Sequence, residues 1–296
     1  MNKYLLKNKK GSSETIREAF DFNFSKYIKN KPEHIKNVNE SFLEWFIGFT
    51  EGDGSFIISN KRCYFVINQK DIKILYKIKA NLGFGHVFKY IQNNKIYGRY
   101  VVQDKKNCRR LAHIFNGNLV LNKTNERFKI WIKELNIIIL TTKGVINLEN
   151  SWLSGFIDAE GGFYASLTKQ NNLILKYRLR LKFYITQKNE YELLKLITRL
   201  LYFKQKNIKK SNLFNPDKYI SKYSNNIYRL EISTSSLIVV ILDYLTKYKL
   251  KSEKIITFFR WKRIYLNKDI LKNLAVKSKK SLTRFKKLVK SVNNKK

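Results

Sequence analysis

A ten-residue acidic signature occurs twice in this chain. Trp45-Phe46-Ile47-Gly48-Phe49-Thr50-Glu51-Gly52-Asp53-Gly54 returns as Trp152-Leu153-Ser154-Gly155-Phe156-Ile157-Asp158-Ala159-Glu160-Gly161, 107 positions later. That interval suits one small αβ unit. A repeat with one terminal acid per copy constrains the fold to two like halves, related by a pseudo-two-fold with the acids paired on its axis.

Each copy opens on a helix. Ser41-Phe42-Leu43-Glu44 fits a capping box, and Phe42, Trp45, Phe46 and Phe49 keep helical spacing. Gly48 and Gly52 share one face and admit a close neighbour, as do Gly155 and Ala159. Two unrelated amphipathic helices are the alternative, but Trp, Gly and both acids recur together. A hairpin follows each helix: 55–60 with 63–69, and 162–169 with 175–187, the latter joined near Asn171-Asn172. Helices are expected at 71–82 and 189–201, strand pairs at 86–91 with 95–104 and 218–223 with 227–234, and helices at 107–116 and 236–246. Each copy closes on a basic amphipathic helix, around Glu126–Trp131 and Ile256–Trp261. The fold class is α+β, two αββαββα halves, with residues 39–140 and 141–267 as the halves. Residues 1–38 read as a polar basic leader and 268–296 as a Lys-rich, partly helical tail. Asp53 to Gln69 spans 16 residues and Glu160 to Gln187 spans 27, so the second hairpin carries the surplus.

The strand 176–187 alternates most clearly. Lys176, Arg178, Arg180, Lys182, Tyr184 and Thr186 point one way, and Tyr177, Leu179, Leu181, Phe183 and Ile185 the other. Arg62, Tyr64, Val66 and Asn68 correspond in the first copy. A solvated edge strand could show this pattern. The chain holds 60 Lys+Arg against 22 Asp+Glu, a net charge of +38, and that favours a nucleic-acid face. The competing source of the charge is an AT-rich gene. Cys63 and Cys108, the two cysteines, provide neither a disulfide framework nor zinc-finger spacing. His34, His86 and His113 are scattered and read as structural or surface. No apolar run reaches membrane-spanning length, and Met1–Phe20 lacks a secretory core.

Asp53 and Glu160 each stand before a glycine that ends a helix. A carboxylate there opposes the macrodipole, at a cost of roughly 0.3–1 kcal/mol. Two such acids brought together also repel. A divalent cation resolves both conflicts, and hard oxygen donors suit Mg2+. Metal-assisted phosphodiester hydrolysis is the chemistry that follows. The plainer reading is that the acids only finish their helices.

The paired signatures resemble the LAGLIDADG motif of homing endonucleases in the two-motif, single-chain form, over roughly residues 40–265. The resemblance implies motif helices at a central interface and two antiparallel sheets forming a saddle in the DNA major groove. It implies cleavage of both strands of a long site by a monomer. Carried onto this chain, it makes Asp53 and Glu160 metal ligands, with Gly52 and Ala159 as carbonyl donors and Glu51 and Asp158 as structural acids. Gln69 and Gln187 match the family's glutamine, and Lys254 its lysine. Aligning Trp131 on Trp261 puts Thr124 opposite Lys254, with Lys123 beside it; Lys123 is taken as the first-half lysine. Arg62, Tyr64, Asn68, Lys176, Arg178, Arg180, Lys182 and Tyr184 are the expected DNA-binding residues.

The family also contains RNA maturases that bind their own group I intron, and that is the main rival, alone or combined with cleavage. A non-catalytic DNA-binding regulator is disfavoured because both terminal acids are present. HNH and zinc nucleases lack their ligands here. Composition and family together point to a mitochondrial gene, with a chloroplast gene as the alternative.

Overall fold

The structure is a computed structural model that describes residues 22–141, 146–170, 177–205, 214–271 and 279–293. The first half begins with the motif helix α2 (Glu40–Asp53), preceded by a short helix, α1 (Ser25–Asn30). It continues through β1 (Gly54–Ser59), β2 (Arg62–Gln69), α3 (Ile72–Leu82), β3 (His86–Gln92), β4 (Lys95–Val102), α4 (Lys105–Phe115) and α5 (Asn122–Lys133). The second half repeats the order: α6 (Trp152–Glu160), β5 (Gly161–Lys169), β6 (Tyr177–Lys188), α7 (Tyr191–Phe203), β7 (Ile220–Ser224), β8 (Ile227–Ile232), α8 (Ser235–Lys247) and α9 (Lys254–Leu266). A final helix, α10, spans Lys279–Asn293. Each half is therefore αββαββα followed by a further basic helix.

The sheets have matching topology, β1-β2-β4-β3 and β5-β6-β8-β7, antiparallel throughout. Asn60 and Lys61, with φ of 49° and 58°, turn the first hairpin tightly, and Asn93 and Asn94 do the same between β3 and β4. The expected turn at Asn171-Asn172 and the start of the next strand, including Leu175 and Lys176, lie outside the described residues.

Under each sheet, one phenylalanine three residues past the motif acid organises an aromatic core. Phe56 lies 5.3 Å from Phe65 and Trp131 and 5.1 Å from Phe128, between ring centroids. Phe163 lies 5.5 Å from Phe258 and 5.2 Å from Trp261. The repeat thus fixes equivalent large apolar contacts in both halves.

Three details differ from the sequence reading. The cap of α2 is Asn39, whose side chain accepts from the Phe42 N–H, so Ser41–Glu44 is not a capping box. Ser41 and Glu44 instead reach Ser151 at the start of the other motif helix, by hydroxyl and backbone N–H. Within the stretch read as a polar leader, Phe24 and Tyr27 are buried, with α1 against α4. In the tail, α10 buries Phe285, Val289 and Val292 against α9 and β5, and Asn293 bonds both backbone groups of Ala165 on the edge strand. Among the described residues, no helix is long and apolar enough to cross a membrane.

Candidate active site and nucleic-acid face

The motif helices touch backbone to backbone. A Cβ on Gly48 would stand 2.0 Å from the Trp152 carbonyl oxygen, and one on Gly155 would stand 1.9 Å from that of Trp45. Only glycine permits this approach. Further along the seam, a Cβ on Gly52 would meet the Ala159 Cβ at 2.4 Å and Glu160 Cγ at 2.9 Å. The two helices consequently end side by side, carrying Asp53 and Glu160 to one place.

The earlier acids lock this arrangement across the halves. Trp45 Nε1 donates to Asp158 Oδ2 at 2.8 Å, and Trp152 Nε1 donates to Glu51 Oε2 at 2.5 Å. Glu51 Oε1 also accepts the backbone N–H groups of Val120 and Leu121, at 2.6 and 2.7 Å. Asp158 accepts the Lys251 N–H at 2.6 Å, the Ser252 N–H, and the Ser252 hydroxyl. Burial pushes Glu51 up to about 8, against the pull of its three N–H donors. Burial likewise raises Asp158. Counted from these latched peptides, Lys123 lies two residues past Leu121, as Lys254 lies two past Ser252. The tryptophan alignment, which favoured Thr124, misses this correspondence by one residue.

Asp53 accepts from Gln69 Nε2 at 2.5 Å, and Gln187 hydrogen-bonds Glu160. Burial raises Asp53 to about 6, with Lys254 and Gln69 acting the other way. Glu160 is raised by burial and then by the charge of Asp53, with Gln187, Lys254 and Lys123 in opposition. The lysines therefore work on this centre from both halves. Lys254 Nζ donates to the carbonyls of Ile157 and Ala159, at 3.2 and 2.9 Å. Lys123 lines a recess with Gly52, Glu160, Thr186, Gln187 and Glu190. The donor chemistry fits a hard divalent cation: two strained carboxylates and nearby backbone oxygens, with room in the shell for water and phosphate. Among the described residues no group of three His, Cys, Asp or Glu exists that could complete a site by itself.

On β6 the expected alternation holds from residue 177. Arg178 and Arg180 are exposed, Lys182, Tyr184 and Thr186 are half-buried, and Leu181, Phe183 and Ile185 are in the core. Lys182 is not a free cation, since its Nζ is 2.6 Å from Glu231 Oε2. In the first half Arg62 and Asn68 are exposed and Tyr64 half-buried, on the same face. Each sheet also carries an arginine that the strand reading passed over. Arg99 Nε donates to Asn68 Oδ1 at 2.8 Å with its guanidinium 5.1 Å from the Tyr90 ring. Arg229 Nε donates to Thr186 Oγ1 at 2.9 Å, with its guanidinium 4.4 Å from Tyr223. Asn68 and Thr186 immediately precede Gln69 and Gln187 and pair with Arg99 and Arg229, so these arginines are counterparts at matching places on the two sheets.

The model of the LAGLIDADG endonuclease family matches residues 46–135 and again 153–265. The chain belongs to the LAGLIDADG endonuclease family. It is 37% identical over 241 residues to the probable intron-encoded endonuclease 4 of Neurospora crassa, covering 77% of this chain but 41% of that protein. It is 26% identical to the intron-encoded RNA maturase bI4 of Saccharomyces cerevisiae, over 91% of this chain and 42% of that protein. The chain thus spans less than half the length of either relative. Its fold matches the I-LtrWI LAGLIDADG homing endonuclease bound to target DNA, with a TM-score of 0.65, 17% identity, and coverage of 86% of this chain and 98% of that one.

The LAGLIDADG signature accounts for the helix pair and its terminal acids. It does not reveal the tryptophan–carboxylate crossing, because the partners lie 113 and 101 positions apart. Arg99 and Arg229 did have a signal: Arg99-Tyr100-Val101-Val102 and Arg229-Leu230-Glu231-Ile232 share an outward arginine two residues before another outward position.

Proposed function

We propose that this chain is a site-specific, Mg2+-dependent DNA endonuclease that cuts both strands of a long target and promotes intron homing. One observation carries the reading: Asp53 and Glu160, from separate halves, are delivered together to a helix seam that leaves no room for side chains at Gly48 and Gly155. Asp53 and Glu160 would hold the metal, with the carbonyls of Gly52 and Ala159 beside them. Bound there, the ion would supply water activation and charge stabilisation at the scissile phosphate. Gln69 and Gln187 orient the carboxylates through their amides. Lys254 and Lys123 offset charge at the centre, the former from the α6 carbonyls. Arg62, Tyr64, Asn68, Arg178, Arg180, Lys182 and Tyr184 form the DNA-facing surface, and Lys176 is assigned to it on strand pattern alone. The chain acts as a monomer, because it already holds both halves, and is the product of a mitochondrial intron. The likeness to an RNA maturase along most of the chain supports a second activity, binding of group I intron RNA.

Asp53→Asn and Glu160→Gln separate cleavage from binding. Each should lose double-strand cleavage of the joined-exon duplex while retaining it in a gel-shift assay. Undiminished cutting by either variant would remove that residue from the mechanism. Sedimentation should find one protein per duplex, and an obligatory two would refute the single-chain reading.

A further inference from the structure

The two sheets are alike in backbone but present different chemistry at equivalent places. Taking Asn68 with Arg99 and Thr186 with Arg229 as matched rungs, Tyr64, Val66 and Val101 of the first sheet correspond to Lys182, Tyr184 and Glu231 of the second. The second sheet has an ion pair there. The first has two valines directly opposite each other, Val66 and Val101. Ile57, opposite Tyr64, is 42% exposed, and Phe88, opposite Arg99, is 53% exposed. These side chains line one depression that Arg99 borders.

An open apolar surface of this kind gains nothing from phosphates. On the floor of the major groove, the one apolar group is the C5-methyl of thymine. We propose that the first sheet reads thymine methyl groups through Ile57, Val66, Phe88 and Val101, so that the half-site bound by residues 54–102 requires thymines at positions where the other half-site does not. Arg99 and Arg229 are the features common to both halves, and outward of them the two sheets read different chemistry. A duplex is favoured as occupant over an apolar protein because the patch continues the face that carries Arg62 and Arg99 in a chain of charge +38. The inference rests on the DNA-cleavage reading above.

The test uses the full chain and a duplex library randomised across the target. The best-bound duplex is resynthesised with deoxyuridine in place of each thymidine, which removes only the methyl. Binding should weaken about fourfold per methyl lost in one half-site, the worth of burying one methyl-sized group, and hardly at all in the other. Phe88→Ala, which removes an exposed ring and spares the core, should abolish part of that sensitivity and leave the opposite half-site's profile unchanged. Equal tolerance of deoxyuridine in both half-sites, or sensitivity untouched by Phe88→Ala and Val66→Ser together, overturns the thymine reading while cleavage persists. Failure to retain any duplex overturns the DNA reading itself. Self-association of the parent that Phe88→Ala relieves, with an unchanged base profile, would assign the face to a second copy of the chain and overturn the proposal.

Discussion

Replacing Asp53 with Asn should make the metal-free protein more stable at neutral pH while it destroys cleavage. In the fold, burial lifts the Asp53 carboxyl from 3.8 to about 6, net of the help from Lys254 and Gln69. At about 1.36 kcal/mol per pH unit, that rise corresponds to about 3 kcal/mol as an upper bound, and solvent access lowers it to about 1–3 kcal/mol. The sign follows from proton binding. Below about pH 4 both folded and unfolded chains hold the proton, and nothing is lost. As pH rises through about 6, the folded chain must ionise Asp53 in a poorly solvated place, and that stability disappears. Asn carries no charge and still offers Gln69 an acceptor oxygen. In EDTA at pH 7.5, Asp53→Asn should therefore melt higher by about 2–6 °C, and the gap should close near pH 4. Magnesium should raise the parent's melting temperature more than the variant's. The assay is a pH series of thermal melts with and without the ion. A variant that is less stable at pH 7.5, or a difference that ignores pH, would refute the argument that Asp53 is strained by burial.

Gly48→Ala forces its methyl against the Trp152 carbonyl, so the motif helices must part. A loss of at least ~2 kcal/mol in urea denaturation is expected, with cleavage falling further because Asp53 and Glu160 separate. Glu51→Gln puts an amide NH2, which only donates, where a carboxyl oxygen accepts N–H; it should cost about 1–3 kcal/mol and slow cleavage through displacement of Lys123, with DNA affinity little changed. Replacing Arg178 or Arg180 with Ala should cost about 1–3 kcal/mol at one base position in a cleavage-specificity profile, whereas a phosphate contact would weaken all sequences alike. Lys182→Ala should behave differently again, since it leaves Glu231 without its closest cation on the surface proposed to face DNA; weaker binding with a shallower salt dependence is expected.

The two-half plan, the helix pair with glycines on one face, the terminal acids and the alternation of strand 177–187 are legible in the amino-acid order alone. All of these are local or repeated patterns, and local periodicity follows from backbone geometry alone. Tertiary structure decided the pairings. Glu51 and Asp158 became cross-half latches only because the helices cross so closely that each tryptophan reaches the other motif's acid. Lys123 stands two residues past a peptide anchored to Glu51, as Lys254 does past one anchored to Asp158, a spacing that counting from a tryptophan misses by one. Ser41 and Glu44 fit a capping pattern in isolation, yet the nearby start of α6 engages both and leaves the cap to Asn39. Lys182 looked like one more free cation until β8 brought Glu231 beside it, 49 positions away in the chain. Spacing along one strand specifies which face a side chain joins, but its charge partner on that face depends on which strand the fold lays alongside.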